Sequence, residues 1–485
     1  MANALPIDPI RAVARKAVSG AASLALRQAL VQVTNLLGVI LLARLLSPAE
    51  FGVYALVTFA QSFLARFGDA GLGASLIRSE AEPGAREYRA VFSFQQILIG
   101  GVVVAFALAA PSVARAYGLG GEYALTLRLV ALAFFFSGLR AIPTIRLERT
   151  LRFDRLAIVD TLEALAYNVT AVALAYLGFG ATSFALAMLL RSLLGAVAIQ
   201  LLAPAELGWT WDWPLVRKHL GFGIAFQGIG LVSLVKDSIT PVLVGLTLGA
   251  ADVGYINWSQ TLAVYALMAL SPFHRLYLPM FARVSHDSAA LARFVERTIW
   301  ATNAVTAPLA VTTVALFEPI TRIVFGTQWL QAKPLFLLVA FANLFVPTVT
   351  PLLGLFNALG HSRLALSFAV VWMLSTWLLG APLVLWLGAV GFALANALVQ
   401  FTNFAVFERA RRLVPFRIVP VVGRVWLCAF AGGAGALWLE RMHPATNARG
   451  LIAYVLVSLA SFACLLLLID KGQARAALAA LSRRT

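Results

Sequence analysis

Long apolar runs separated by short polar loops extend from one end of the chain to the other. The runs reach the roughly 20 residues that an α-helix needs to cross a bilayer, and they lack the alternation of barrel strands. Because backbone groups in lipid must hydrogen-bond internally, the pattern predicts membrane-spanning helices. We predict about 14 crossings, at residues 19–43, 53–77, 90–114, 123–145, 157–177, 181–203, 221–247, 253–281, 298–317, 333–359, 364–387, 389–408, 422–439 and 450–469.

The apolar pattern repeats after about 200 residues. At an offset of 202, Ala49-Glu50-Phe51-Gly52 corresponds to Ala251-Asp252-Val253-Gly254. At an offset of 208, Arg155-Leu156-Ala157 recurs as Arg363-Leu364-Ala365. Each repeat contains an even number of crossings, so both halves enter the membrane in the same sense. The repeat therefore predicts two parallel six-helix lobes, related by a pseudo-two-fold axis along the membrane normal, with a cavity between them.

This plan predicts four regions of the chain. Residues 1–203 form an N-terminal six-helix lobe, residues 204–220 a cytoplasmic interfacial connector, and residues 221–411 a C-terminal six-helix lobe. Residues 412–485 add two transmembrane helices and a basic cytoplasmic tail. The connector carries Trp209, Trp211 and Trp213 beside two cations, a composition typical of a segment lying on the inner leaflet.

Composition supports the membrane assignment and accounts for the basic charge. Hydrophobic residues make up 61% of the 485 residues and charged residues 12%, against roughly 25% charged residues in a soluble domain. The formal net charge of +17 comes from Lys and Arg residues concentrated in alternate loops. That distribution follows the positive-inside rule, predicts that both termini are cytoplasmic, and makes a nucleic-acid partner unnecessary.

Several classes of function lack the residues they need. No Gly-Lys dipeptide exists for an ATP-binding phosphate loop, and the five histidines are too scattered to indicate a metal site. Cys428 and Cys464 lie in apolar segments and are predicted to be small buried hydrophobes. The loops are too short for a soluble catalytic domain. We therefore expect no enzyme activity and no cofactor.

A resemblance rests on two stretches of the first half. The segment Leu41-Leu42-Ala43-Arg44-Leu45-Leu46-Ser47-Pro48-Ala49-Glu50-Phe51-Gly52-Val53-Tyr54-Ala55-Leu56 resembles the opening signature of bacterial polysaccharide-biosynthesis flippases. Phe67-Gly68-Asp69-Ala70-Gly71-Leu72-Gly73-Ala74-Ser75-Leu76 continues it. These proteins form the polysaccharide transporter branch of the multidrug/oligosaccharidyl-lipid/polysaccharide flippase superfamily. The resemblance implies two six-helix lobes that flip an undecaprenyl-diphosphate-linked sugar unit to the outer face of the inner membrane.

The signature also has a local physical interpretation. Ser47 is a suitable N-cap, Pro48 suits the first helical turn, and Glu50 lies near the positive end of the helix dipole. Gly52 permits close helix packing. These residues are predicted to build the fold rather than to contact substrate.

Charged residues inside predicted crossings are the candidates for the site, because a charge at a helix centre costs about 2.5–3.5 kcal/mol on insertion scales. We predict that Arg27, Arg66 and Lys236 bind the substrate diphosphate. Asp69 and Asp237 are candidates for ion coupling, by a proton or Na⁺, or for simple charge pairing.

The repeat singles out one of these positions. Lys236-Asp237 aligns with Thr34-Asn35, so the second half is charged where the first is only polar. This difference between the halves makes Lys236-Asp237 the first place to look for the working site.

Together these features predict a multi-pass flippase of the bacterial inner membrane. It would carry a lipid-linked oligosaccharide for O-antigen, capsule or exopolysaccharide synthesis, by alternating access without ATP hydrolysis. Its expected partners are this substrate, membrane lipids, and the polysaccharide polymerase and glycosyltransferases of the same pathway. The alternatives are a cation-coupled multidrug exporter of the same superfamily, a polysaccharide polymerase or ligase, and a non-transporting scaffold.

Overall fold

The structure is helical throughout the residues it describes. It is a computed structural model that describes residues 31–69, 71–79, 81–150, 152–204, 208–270, 277 and 280–470, with the backbone alone at 67–69 and 222–229. No strand occurs among these residues. The α-helices are α1 Val31–Leu45, α2 Pro48–Asp69, α3 Leu72–Arg78, α4 Ala85–Ala116, α5 Glu122–Gly138, α6 Ala141–Arg149, α7 Phe153–Tyr176, α8 Thr182–Leu202, α9 Trp213–Asp237, α10 Gly245–Thr247, α11 Ala250–Met268, α12 Ser288–Ala315, α13 Phe317–Ile320, α14 Lys333–Asn343, α15 Val346–Ala358, α16 Ser362–Val399, α17 Asn403–Leu413, α18 Val419–Met442 and α19 Ala448–Ile469.

Short non-α segments interrupt the second half of the chain. Two π-helical turns span Ile239–Val244 and Thr321–Phe325, and 3₁₀ turns span Thr327–Ala332 and Gln400–Thr402. The first π turn begins two residues after the end of α9 and contains Pro241. Proline removes a backbone donor and favours such interruptions.

Many of the helices are long and apolar enough to span a bilayer. Within the described residues nine helices meet that criterion, or ten if Ser288–Ala315 and Phe317–Phe325, which are bent by 79°, form one span. Each predicted crossing overlaps a helix of the described chain. The prediction of an all-α polytopic membrane protein is confirmed, whereas the count of 14 stays a prediction.

The longest continuous helical segment is a hairpin that reverses at Gly388. This glycine has φ 62° and ψ −142°, outside the helical region. A Cβ added at Gly380 would lie 3.9 Å from Cβ of Ala395, although 15 residues of straight helix would separate the two by about 22 Å. An added Cβ at Gly391 would lie 1.9 Å from the Leu383 carbonyl oxygen. The predicted segments 364–387 and 389–408 are therefore two separate helices.

The chain divides into two compact units. Among the described residues, one unit contains the chain through Leu46 together with Leu56–Leu231, and the other contains Ser47–Ala55 and the chain from Val232 onward. The first turns of α2 thus belong to the second unit. Helix α9 begins at Trp213, eight residues before the predicted crossing, inside the region predicted to be a connector. The four-region division made from the sequence stays a prediction.

The start of α2 is a capping box. Ser47 Oγ accepts a hydrogen bond from the Glu50 N–H at 3.3 Å, and Glu50 Oε2 accepts one from the Ser47 N–H at 2.7 Å. The two residues satisfy each other's backbone donors at the helix start. The predicted helix start is confirmed.

Helix α12 also has an acidic cap. Asp287 Oδ1 accepts hydrogen bonds from the N–H groups of Ala289 and Ala290, at 2.9 and 3.0 Å. These bonds hold the pKa of the exposed Asp287 carboxyl below its usual value, because they favour its charged form.

Candidate functional site

A close helix crossing in the second unit joins residues related by the repeat. A Cβ added at Gly52 would lie 1.7 Å from the Ala250 carbonyl oxygen, and one added at Gly254 would lie 1.9 Å from that of Pro48. The offset of 202 maps Pro48 onto Ala250 and Gly52 onto Gly254. The two contacts are therefore equivalent under the repeat, because each joins a residue to the counterpart of the other contact. Only glycine allows the two backbones to approach this closely.

The structure describes some of the residues predicted to bind the diphosphate or to couple an ion, but not all of them. Arg27 lies outside the described residues, and so does the side chain of Asp69. Arg66 belongs to the first compact unit, and Lys236 with Asp237 to the second.

Arg66 lies near the end of α2 with an exposed side chain. A Cβ added at Gly230 of α9 would lie 2.5 Å from Arg66 Nη1. The guanidinium group therefore packs against the α9 backbone at a position where a side chain would displace it. This placement keeps a permanent cation at the surface of the helical bundle.

Lys236 and Asp237 form an exposed ion pair inside an apolar span. They lie within Gly230–Thr247, one of the stretches able to cross a membrane. Lys236 Nζ is 3.2 Å from Asp237 Oδ1, and the side chains are 42% and 64% exposed. Charges inside an apolar span are costly in hydrocarbon, so such residues usually face water or a polar ligand.

Helix α16 contacts the backbone around this ion pair. Trp377 Nε1 donates a hydrogen bond to the Val235 carbonyl at 2.7 Å, and a Cβ added at Gly380 would lie 2.5 Å from Cδ1 of Ile239. Helix α16 thus supports the end of α9 and the π turn. The charged side chains remain accessible next to a supported backbone.

The corresponding position in the first half is used for packing instead. Asn35 Oδ1 accepts a hydrogen bond from Asn168 Nδ2 at 2.9 Å, which joins α1 to α7. Asn168 is buried and also donates to the Ala164 carbonyl at 2.8 Å. The repeat position is therefore structural in the first half and accessible in the second.

Sequence reasoning missed an ion network in the first unit, centred on Glu163. This carboxylate lies near the middle of α7 with its side chain 3% exposed. Arg140 Nη1 hydrogen-bonds to Glu163 Oε1, and Arg191 Nε lies 3.3 Å from Glu163 Oε2. Arg140 also reaches Asp160 at 3.0 Å. The sequence did contain one indication of this network, because Glu163 is a carboxylate within the predicted crossing 157–177.

A second polar cluster ties the start of α9 to α3 and α4. Buried His219 places Nε2 2.7 Å from Glu87 Oε1 and Nδ1 2.9 Å from Ser75 Oγ. Lys218 Nζ approaches the same carboxylate oxygen at 3.1 Å. A Ser, His and Glu in contact can also form a hydrolytic triad, so this cluster bears on the enzyme alternative.

Substitutions in the His219 cluster distinguish a structural role of these residues from a catalytic one. Replacing His219 by Ala should destabilise the protein by about 1–3 kcal/mol, because it leaves buried polar groups unpaired. Ser75→Ala should cost less and should leave export unchanged. The measurement is thermal unfolding of the purified protein together with export in cells. Loss of export in the Ser75 variant at normal protein levels would indicate a chemical role for the hydroxyl.

Metal binding finds no support within the part of the chain that the structure describes. No group of three or more His, Cys, Asp or Glu side chains there could hold a metal ion.

These features define a polytopic helical membrane protein with an internal sequence repeat and charged groups inside its spans. The sequence profile of a family described as polysaccharide biosynthesis protein matches residues 41–334, which is more than half of the chain. The chain belongs to this family. The resemblance found in the sequence is thereby confirmed.

Two characterised proteins resemble this chain in sequence. The succinoglycan biosynthesis transport protein ExoT of Rhizobium meliloti is 25% identical over 341 residues, covering 69% of this chain and 68% of that protein. The teichuronic acid biosynthesis protein TuaB of Bacillus subtilis is 22% identical over 323 residues, covering 63% of each.

Two solved structures share the fold. The lipid II flippase MurJ in an inward closed conformation superposes with a TM-score of 0.75 at 15% identity, covering 92% of this chain and 99% of that one. An inward-facing multidrug resistance transporter of the MATE family, from the MOP superfamily, gives a TM-score of 0.59 at 15% identity, covering 79% and 95%. The chain has the fold of this superfamily.

Proposed function

We propose that the protein is a flippase that moves an undecaprenyl-diphosphate-linked oligosaccharide across the bacterial inner membrane for surface polysaccharide synthesis. The exposed Lys236–Asp237 pair inside an apolar span carries this proposal, because a membrane-embedded cation suits a lipid diphosphate. Family membership supports it, as do a relative named as a succinoglycan transport protein and a structural neighbour named as a lipid II flippase.

In this proposal Lys236 and Arg66 attract the diphosphate, and Arg27 is a third candidate. The polyprenyl tail would stay in lipid while the charged headgroup and the glycan cross. Asp237 neutralises Lys236 when no substrate is bound and releases it to the diphosphate when substrate arrives. Asp69 and Asp237 remain the candidates for coupling to a proton or Na⁺. The cycle is alternating access without ATP hydrolysis.

The direct test is substitution of Lys236 by Gln. Export of surface polysaccharide by a complemented deletion strain should fall roughly ten- to hundredfold, because a charge-assisted contact contributes about 1.5–3 kcal/mol. The same loss should appear in flipping of a labelled undecaprenyl-diphosphate oligosaccharide by purified protein in vesicles.

Lys333→Gln is the matched control. Lys333 also pairs with a carboxylate, that of Glu318, and has similar exposure at 45%. It should leave export unchanged at equal protein levels. Full export by both the Lys236 and the Arg66→Gln variants would overturn the headgroup assignment.

The same preparations discriminate the alternatives. A multidrug exporter would change drug susceptibility in the deletion strain without changing surface polysaccharide. A polymerase or ligase would transfer sugars with purified protein. Reporter fusions at each end of the chain test the proposed inner-membrane topology with both termini in the cytoplasm.

A further inference from the structure

A basic pocket lies at one end of the second unit, separate from the charges inside the spans. It has a volume of about 880 Å³ and lies between the first turn of α16 and the last turns of α17. Arg363 contributes from α16, and Arg409 and Arg412 contribute from α17. Leu364 and Leu413 add apolar surface to its lining.

The charge of the pocket is only partly compensated. Arg412 Nε pairs with Glu408 Oε1 at 3.0 Å. Within the described part of the chain, no ion pair involves Arg363 or Arg409. The first-turn N–H groups of α16 add to the same place the positive end of the helix that runs up to Gly388. The pocket thus presents two uncompensated guanidinium groups to an anion.

Two of the three arginines of this pocket are not repeated at the equivalent positions of the first half. Arg155 is the counterpart of Arg363 at the offset of 208, and it donates a hydrogen bond to the Leu202 carbonyl near the end of α8. At the same offset the counterparts of Arg409 and Arg412 are Leu201 and Pro204. The first half therefore uses its arginine to cap a helix, and it carries no cation at the counterparts of Arg409 and Arg412.

The surroundings favour a lipid over a soluble anion. The pocket lies at the ends of Ser362–Leu413, a stretch apolar enough to span a membrane. Leu366, about one turn beyond Arg363, is 39% exposed, and Leu413 in the lining is 37% exposed. A ligand with a phosphate group and acyl chains would satisfy the arginines and cover these apolar side chains together.

We propose that Arg363, Arg409 and Arg412 bind the phosphoryl headgroup of an anionic phospholipid of the surrounding membrane. The bound lipid would occupy the hollow between α16 and α17 and neutralise the two unpaired arginines. This site is independent of the transported substrate and of the proposed function.

The test measures lipid binding to the full-length protein in detergent by native mass spectrometry. Phosphatidylglycerol should bind the natural protein more tightly than phosphatidylcholine does. The double variant Arg363→Gln/Arg409→Gln should lose about tenfold or more of the phosphatidylglycerol affinity and little of the phosphatidylcholine affinity. Arg363→Lys/Arg409→Lys should retain most of the affinity, because the charge at the anionic headgroup is kept.

Arg449→Gln is the control, since Arg449 is an exposed arginine of the same unit at the start of α19. It should bind phosphatidylglycerol normally. An equal loss in this variant would show a general effect of charge and overturn the site.

Competition with inorganic phosphate is a second experiment on the same site. Displacement of phosphatidylglycerol by submillimolar phosphate would identify a soluble anion as the ligand and overturn the lipid assignment. Unfolding temperatures of all variants verify that each one is folded.

Discussion

Replacing Gly254 with Ala is expected to destabilise the protein by about 3 kcal/mol or more and to abolish export. Overpacking costs typically 1–3 kcal/mol where side chains can move aside. Here the new methyl group would lie 1.9 Å from the Pro48 carbonyl oxygen, so the helix backbones themselves must separate. The measurement is the unfolding temperature of the purified protein alongside surface polysaccharide export.

Gly435→Ala is the matched control, because nothing lies within 4 Å of a Cβ added at that position of α18. Alanine there should stabilise the helix by up to about 1 kcal/mol. The two glycine substitutions are thus expected to act in opposite directions. Similar effects of both would show that the crossing is not tight.

The repeat adds a quantitative expectation for Gly52. Gly52→Ala should cost about as much as Gly254→Ala, since the two contacts are equivalent under the repeat. The double variant should cost less than the sum, because one separation of the backbones relieves both clashes. Strict additivity would contradict a shared contact.

Replacing Glu163 with Gln is expected to be the other large effect, at about 3–5 kcal/mol. Removing one member of a buried ion network leaves the remaining charges uncompensated. Arg140 would lose its buried partner, and Arg191 would lose the carboxylate that it approaches at 3.3 Å. Arg191→Gln should cost much less, because Glu163 would keep its hydrogen bond to Arg140.

The control for Glu163 is Glu408→Gln, which breaks the exposed pair with Arg412. That pair joins residues four apart on one helix and should contribute about 0.3–0.5 kcal/mol. In a double-mutant cycle, Arg140→Gln combined with Glu163→Gln should cost less than the two single substitutions added together. Equal costs for the Glu163 and Glu408 variants would show that the network is not buried.

The candidate site was only partly predictable from the sequence. Lys236, Asp237 and Arg66 were identified from the sequence because each is a charged residue within an apolar run, where a charge is costly to insert into a membrane. The comparison of repeats further singled out Lys236-Asp237, and the structure shows its counterpart Asn35 bonded to Asn168. The pairing of Glu163 was not predictable, since its partners Arg140 and Arg191 are 23 and 28 residues away.

The sequence by itself determined that the chain spans a lipid bilayer, that it is helical, and that its apolar pattern repeats once. Apolar runs of bilayer length require helices, Ser47 and Glu50 specify where α2 begins, and the repeat indicates two similar halves. These properties depend on residues close together in the chain or on comparing the chain with itself.

Only the tertiary structure showed which contacts are made by residues that are equivalent under the repeat. It showed that Gly52 and Gly254, equivalent in the repeat, lie in one reciprocal crossing. It also showed that Arg155 caps a helix whereas Arg363 faces a pocket. The physical reason is that burial, close contact and charge compensation depend on which side chains meet in space, and those meetings join residues far apart in the sequence.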